Sequence, residues 1–103
     1  MKEDIFNILR LLSSKDNLTQ RDLSTHLDFS LGKTNYLLKS LVKKGLLKIK
    51  SFSEHDQKVK KVQYYLTKKG WEEKLGLTLH FLKKKEQEYY SIKNEWEQLT
   101  VKR

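Results

Sequence analysis

Apolar residues recur along the first half of this chain at helical spacing, switch briefly to alternation, then return to a helical period to the C-terminus. Ile5, Phe6, Ile8, Leu9 and Leu12 share one stripe, predicting a first helix over residues 2–14. SSKDN then interrupts it with turn-forming residues. Thr19 is placed to cap a second helix, with Asp22 in its first turn and Leu23 and Leu27 on its buried edge. Asp28-Phe29 makes a turn with Phe29 as its apolar plug, and Ser30 caps a third helix reaching Lys44. That helix turns Thr34, Leu37, Leu38, Leu41 and Val42 inward. Its other face carries Gly32, Lys33, Asn35, Tyr36, Lys39, Ser40 and Lys43. Gly45 ends it as a left-handed cap.

From Leu46 the period is two. Leu47, Ile49 and Phe52 alternate with lysine and serine, a half-buried strand. EHDQKVKK is a polar loop and VQYYLT the returning strand, so the pair forms a hairpin with a basic tip. Thr67 caps a last helix that extends to the end, with Gly76 weakening it by about 1 kcal/mol relative to alanine. Leu75, Leu82, Lys85, Tyr89, Ile92, Trp96 and Leu99 occupy the a and d positions of a heptad repeat, broken by Lys85. The seam from Leu75 to Leu99 is about 37 Å long, farther than a small head can cover. It therefore predicts a second copy of the chain. The fold expected is mainly α with a small β-hairpin: a winged helix-turn-helix over 1–66, then a dimerisation helix over 67–103.

Charge sharpens this picture. The 103 residues include 22 Lys and Arg against 13 Asp and Glu, a net +9, which favours an anionic partner. Nine lysines fall between Ser30 and Lys61 against only Glu54 and Asp56. A domain this size buries about 60–65% of its unfolded surface, so a partner chain adds needed stability. Cysteine is absent, excluding disulfides and cysteine-ligated zinc. No apolar run spans a membrane and no signal peptide is evident, so a cytoplasmic location is expected.

The outward face of the third helix is the first candidate site. Gly32 lets backbone come close to a phosphate, and Lys33, Asn35, Tyr36 and Lys39 reach toward base edges or sugar-phosphate. Asn35 is the natural base reader, because a side-chain amide pairs in bidentate fashion with adenine. Ser30 sits at the same helix start. The hairpin tip supplies Lys58, Lys60 and Lys61 for phosphates beside the neighbouring groove. Thr19, Gln20 and Arg21 open the second helix and form a phosphate clamp, although capping alone accounts for Thr19. His26, His55 and His80 lack metal-ligand spacing, and there is no glycine-rich phosphate loop, so neither enzyme activity nor any metal or cofactor is expected.

These residues also carry a resemblance. TQRDLSTHLDFSLGKTNYLLKSLVKKGLLKIKSF followed by YYLTKKG is similar to the winged-helix head of MarR-like bacterial transcriptional regulators. SLGKTNYLLKSLVKKGLLK, YLTKKG and LTLHFLKKKEQEY resemble, more narrowly, short regulators associated with exopolysaccharide gene clusters. The resemblance implies a dimeric, double-stranded-DNA-binding transcription factor with recognition helix 30–44 and wing 52–61. Its departure from the usual pattern, a short N-terminal helix and one C-terminal helix, implies no small-molecule effector.

Two other classes compete. A winged-helix adaptor recruiting another protein through its long helix would need an apolar or acidic groove face, which the lysines contradict. A peripheral membrane protein would need a last helix less mixed in charge.

Overall fold

A computed structural model describes residues 1–15, 17–53 and 60–101 of the chain. Four helices and one hairpin follow in order: α1 (Lys2–Ser14), α2 (Gln20–Leu27), α3 (Leu31–Lys43), β1 (Leu47–Ser53), β2 (Lys60–Leu66) and α4 (Lys68–Val101). The fold is a winged helix-turn-helix with a long C-terminal helix. At 72 × 25 × 21 Å the molecule is elongated, because α4 continues well past the head.

Local chemistry sets each boundary. Thr19 and Asp22 form a reciprocal capping box: the threonine hydroxyl accepts from the Asp22 N–H at 3.2 Å, and the Asp22 carboxylate accepts from the Thr19 N–H at 2.9 Å. The α2–α3 turn depends on Asp28 at φ 55°, a left-handed conformation that aspartate tolerates better than most side chains. There the Phe29 N–H donates to the Ser24 carbonyl at 3.1 Å, and the Ser24 hydroxyl donates to the Phe29 carbonyl at 2.5 Å. Ser30 caps α3, accepting from the Lys33 N–H at 3.1 Å. At the other end Gly45 takes φ +77°. Its N–H reaches the Val42 carbonyl, while the Leu46 N–H reaches that of Leu41, both at 3.0 Å, a Schellman motif.

The core gathers Phe6, Ile8, Leu9 and Leu12 of α1, Leu18, Leu23 of α2, and Leu37, Leu38 and Leu41 of α3. Thr34 is wholly buried too, its hydroxyl donating to the Ser30 carbonyl at 2.9 Å. Leu27 and Val42, expected inside, are only half-buried at the margin. The first half of α4 belongs to this core. Leu77 is buried, and Phe81 stacks on Phe6 with centroids 4.9 Å apart.

The strands pair antiparallel from Leu47↔Leu66 to Ser53↔Lys60. Leu46, Leu47 and Leu66 at the hairpin's base are buried, but Ile49 is 48% exposed, contrary to its expected half-burial. Across the ladder from Ile49, Tyr64 is the side chain that packs against the core. The Phe52 side chain lies outside what the structure describes.

The join between wing and α4 is tightly tied. The Thr67 N–H donates to the Leu46 carbonyl at 3.1 Å and its hydroxyl to the Gly45 carbonyl at 2.6 Å. The same hydroxyl accepts from the Gly70 N–H at 3.0 Å, capping α4. The Lys69 ammonium donates to the Lys44 carbonyl at 3.1 Å. Gly70 is demanded here, since a Cβ would overlap the Leu46 carbonyl oxygen. At Gly76 a Cβ would meet open space, and α4 stays helical through it.

Candidate nucleic-acid interface

Burying Thr34, Leu37, Leu38 and Leu41 of α3 forces the opposite face of the same helix outward. Gly32, Lys33, Tyr36 and Lys39 are exposed there, and Asn35 is half-buried beside them. Tyr36 is 62% exposed, a value that marks its ring as unused by the head. Around Gly32 a Cβ would find nothing within 4 Å, so the helix backbone is open to close approach at its first turn.

Lys33 proves more committed than its exposure suggests. Its ammonium pairs with the Asp4 carboxylate of α1 at 3.2 Å and sits 4.2 Å from the centre of the Phe29 ring. The partly exposed pair is worth on the order of 0–1 kcal/mol, so an incoming phosphate can compete for the lysine.

The start of α2 divides in the same way. The Thr19 hydroxyl is consumed by its capping box, donating to Asp22 at 2.9 Å while accepting the Asp22 N–H. The Gln20 amide donates to the Leu31 carbonyl at 3.3 Å, fastening α2 to the beginning of α3. Arg21 is exposed. Ser30 is exposed as well, but its hydroxyl serves the α3 cap.

In the wing, Lys58 lies outside the described residues, and of Lys60 and Lys61 only the backbone is described, in β2 opposite Ser53 and Phe52. Lys48 and Lys50 of β1 are exposed cations that the sequence reading did not single out. The Lys50 ammonium lies 5.6 Å from the Tyr65 ring centre, and the Tyr65 hydroxyl donates to Gln63 at 2.8 Å. Strand alternation placed both lysines on the solvent side. Burial pushes the Tyr64 phenol upward from its usual pKa.

The heptad residues of α4 are bare. Leu75 is 73% exposed, and Leu82, Tyr89, Ile92, Trp96 and Leu99 lie between 58% and 66%. Trp71 and Leu79 add to the apolar surface. An open groove of about 750 Å³ runs between α1 and α4, with Phe6, Arg10, Leu11, Leu27, Leu82 and Lys85 along it. Among the described residues no cluster of His, Cys, Asp and Glu is suited to a metal ion, and no helix is long and apolar enough to cross a membrane.

Comparison with known proteins agrees with this geometry. Residues 5–48, from α1 to the start of β1, match the winged helix-turn-helix DNA-binding family. No curated protein sequence matches the chain. Among solved structures, a MepR variant from a multidrug-resistant Staphylococcus aureus clinical isolate superposes with a TM-score of 0.68 at 24% identity, covering 95% of this chain and 70% of that one. The adhesin competence repressor AdcR of Streptococcus pyogenes gives 0.67 at 23%, covering 88% and 65%. Bacillus subtilis PadR, in complex with operator DNA, gives 0.61 at 22%, covering 70% and 44%. MepR and AdcR are MarR-family regulators, and at these identities the likeness is one of fold.

Proposed function

We propose that this chain is a sequence-specific, double-stranded-DNA-binding transcriptional regulator of the repressor type, acting as a homodimer on a pseudo-palindromic site. The observation that carries this reading is the outward face of α3, where Gly32, Asn35, Tyr36 and Lys39 stand on a helix clamped from behind by its own buried leucines. PadR bound to operator DNA and a MepR variant bound to an oligodeoxyribonucleotide, both similar in fold, support it.

In this reading α3 enters the major groove and Asn35 reads a base, with Tyr36 and Lys39 beside it. Lys33 exchanges Asp4 for a phosphate. Arg21 contacts the backbone directly; Thr19, Gln20 and Ser30 hold the helix starts whose amides face it. Lys58, Lys60 and Lys61 of the wing follow the adjacent phosphates. Residues 1–66 supply the reading head and 67–103 the pairing helix, through Leu75, Leu82, Tyr89, Ile92, Trp96 and Leu99. Half-sites then lie about one helical turn apart. The tie to exopolysaccharide genes rests on the sequence resemblance, and no small-molecule effector forms part of the proposal.

Binding to a selected site, followed against salt, tests this reading. With about six phosphate contacts the logarithm of affinity falls with log salt at a slope near −5. Asn35→Ala relaxes preference for the selected site over random duplex by about 1–3 kcal/mol. Affinity that is flat with salt, or a preference untouched by Asn35→Ala, refutes the DNA reading or the base-reading role respectively.

A further inference from the structure

We infer that the Asp4 carboxylate occupies, in the free protein, the position at Lys33 that a backbone phosphate takes in the DNA complex, and that this acid lowers affinity for every duplex. This deepens the DNA reading above and rests on it. Asp4 thereby becomes a residue that tunes binding without touching a base.

Asp4 belongs to α1, yet its carboxylate reaches the opening turn of α3. Phe6, Ile8, Leu9 and Leu12 fix α1 in the core, so the helix delivers Asp4 to the edge of the reading face. There it holds the Lys33 ammonium at 3.2 Å. The same ammonium lies 4.2 Å from the Phe29 ring centre, which keeps it at that edge. Beside it Gly32 leaves the backbone open, with nothing within 4 Å of an added Cβ. Neither partner of the pair is sealed off: the Lys33 side chain is 45% exposed and that of Asp4 28%.

A carboxylate and a phosphodiester each offer an ammonium one negative charge and oxygen acceptors. Docking on DNA therefore exchanges one anion for another at Lys33, and the exchange leaves Asp4 beside the duplex with its charge uncompensated. The ion pair is lost, and a like charge remains near the phosphate. Both penalties fall on contact with the DNA backbone, which is the same for any sequence. Base reading by Asn35 is unaffected. With a net charge of +9 the chain attracts any duplex, and an acid on the reading face subtracts from that sequence-independent attraction.

Asp4→Asn keeps the side chain's volume and removes its charge. Affinities of the full-length chain for the selected site and for random duplex are measured across a salt series by fluorescence anisotropy of labelled DNA. Asp4→Asn is expected to tighten both by the same factor, about two- to fivefold at low ionic strength, the range an exposed ion pair allows. The gain shrinks as salt rises, because exposed charges are screened. In a Lys33→Gln background most of it disappears. Glu3→Gln removes an equal charge from the same first turn, where Glu3 is exposed, and changes affinity by less than Asp4→Asn. Unchanged or weaker binding by Asp4→Asn overturns the proposal, as does a gain of full size without Lys33 or one matched by Glu3→Gln.

Lys33→Gln by itself gives a second measurement that does not depend on how Asp4→Asn folds. It should weaken binding to selected and random duplex alike. No loss, or a loss confined to the selected site, overturns the phosphate assignment. An unsubstituted chain that binds no duplex sinks the DNA reading itself, whereas every other failure leaves that reading standing.

Discussion

Replacing Gly70 by alanine perturbs the join on which the shape of the molecule depends. In an ordinary helix interior the change stabilises by about 1 kcal/mol, since glycine is the poorer helix former. Here the new Cβ overlaps the Leu46 carbonyl oxygen, and that oxygen belongs to backbone which cannot rotate aside. Relief requires the start of α4 to move. Movement loosens the Thr67 bonds to Leu46 and Gly45 and the Lys69 bond to Lys44, each worth about 0.5–1.5 kcal/mol. Overpacking of this kind adds about 1–3 kcal/mol. After subtracting the propensity gain, a net loss of at least about 1.5 kcal/mol is expected, on the order of a 10 °C fall in Tm for a domain of this size.

Gly76→Ala is the matched control on the same helix. Its Cβ enters open space, so the propensity term acts alone and stability rises by up to about 1 kcal/mol. Urea unfolding followed by far-ultraviolet circular dichroism, at one fixed chain concentration because the proposed dimerisation would contribute to stability, measures both. If Gly70→Ala equals or exceeds the unsubstituted chain in stability, the account of the wing–α4 join is wrong.

Thr19→Ala removes the hydroxyl of the α2 capping box and should lower stability by about 0.5–2 kcal/mol in the same assay, with specific DNA binding retained when measured well below the Tm. Retained stability would show that the box contributes nothing. Burial raises the Tyr64 pKa, so the folded state keeps its proton at alkaline pH longer than the unfolded chain. Stability is therefore complete below the ordinary tyrosine value and declines as pH rises from there through the raised folded-state value. Tyr64→Phe should remove that share of the alkaline decline in a pH series, and an identical decline in the substituted chain would refute the assignment.

Much of the fold was legible because it is locally determined. Thr19, Ser30 and Gly45 mark helix ends through hydrogen bonds to residues a few positions away, and the α3 stripe follows from 3.6-residue spacing. Those same local rules fix which face of α3 points outward, and so which residues are offered to a ligand. The absence of cysteine and the run of lysines between Ser30 and Lys61 needed no structure at all.

Only the tertiary structure decided how those pieces share their surfaces. Alternation put Ile49 with the core, yet it is exposed, and its cross-strand partner Tyr64 packs there instead. Spacing drew attention to Gly76, whereas Gly70 meets the Leu46 carbonyl across 24 positions of chain. Lys33 looked free along the sequence and is paired with Asp4. In each case the deciding contact joins residues distant in the chain, and the period of a single segment carries no information about what packs against it.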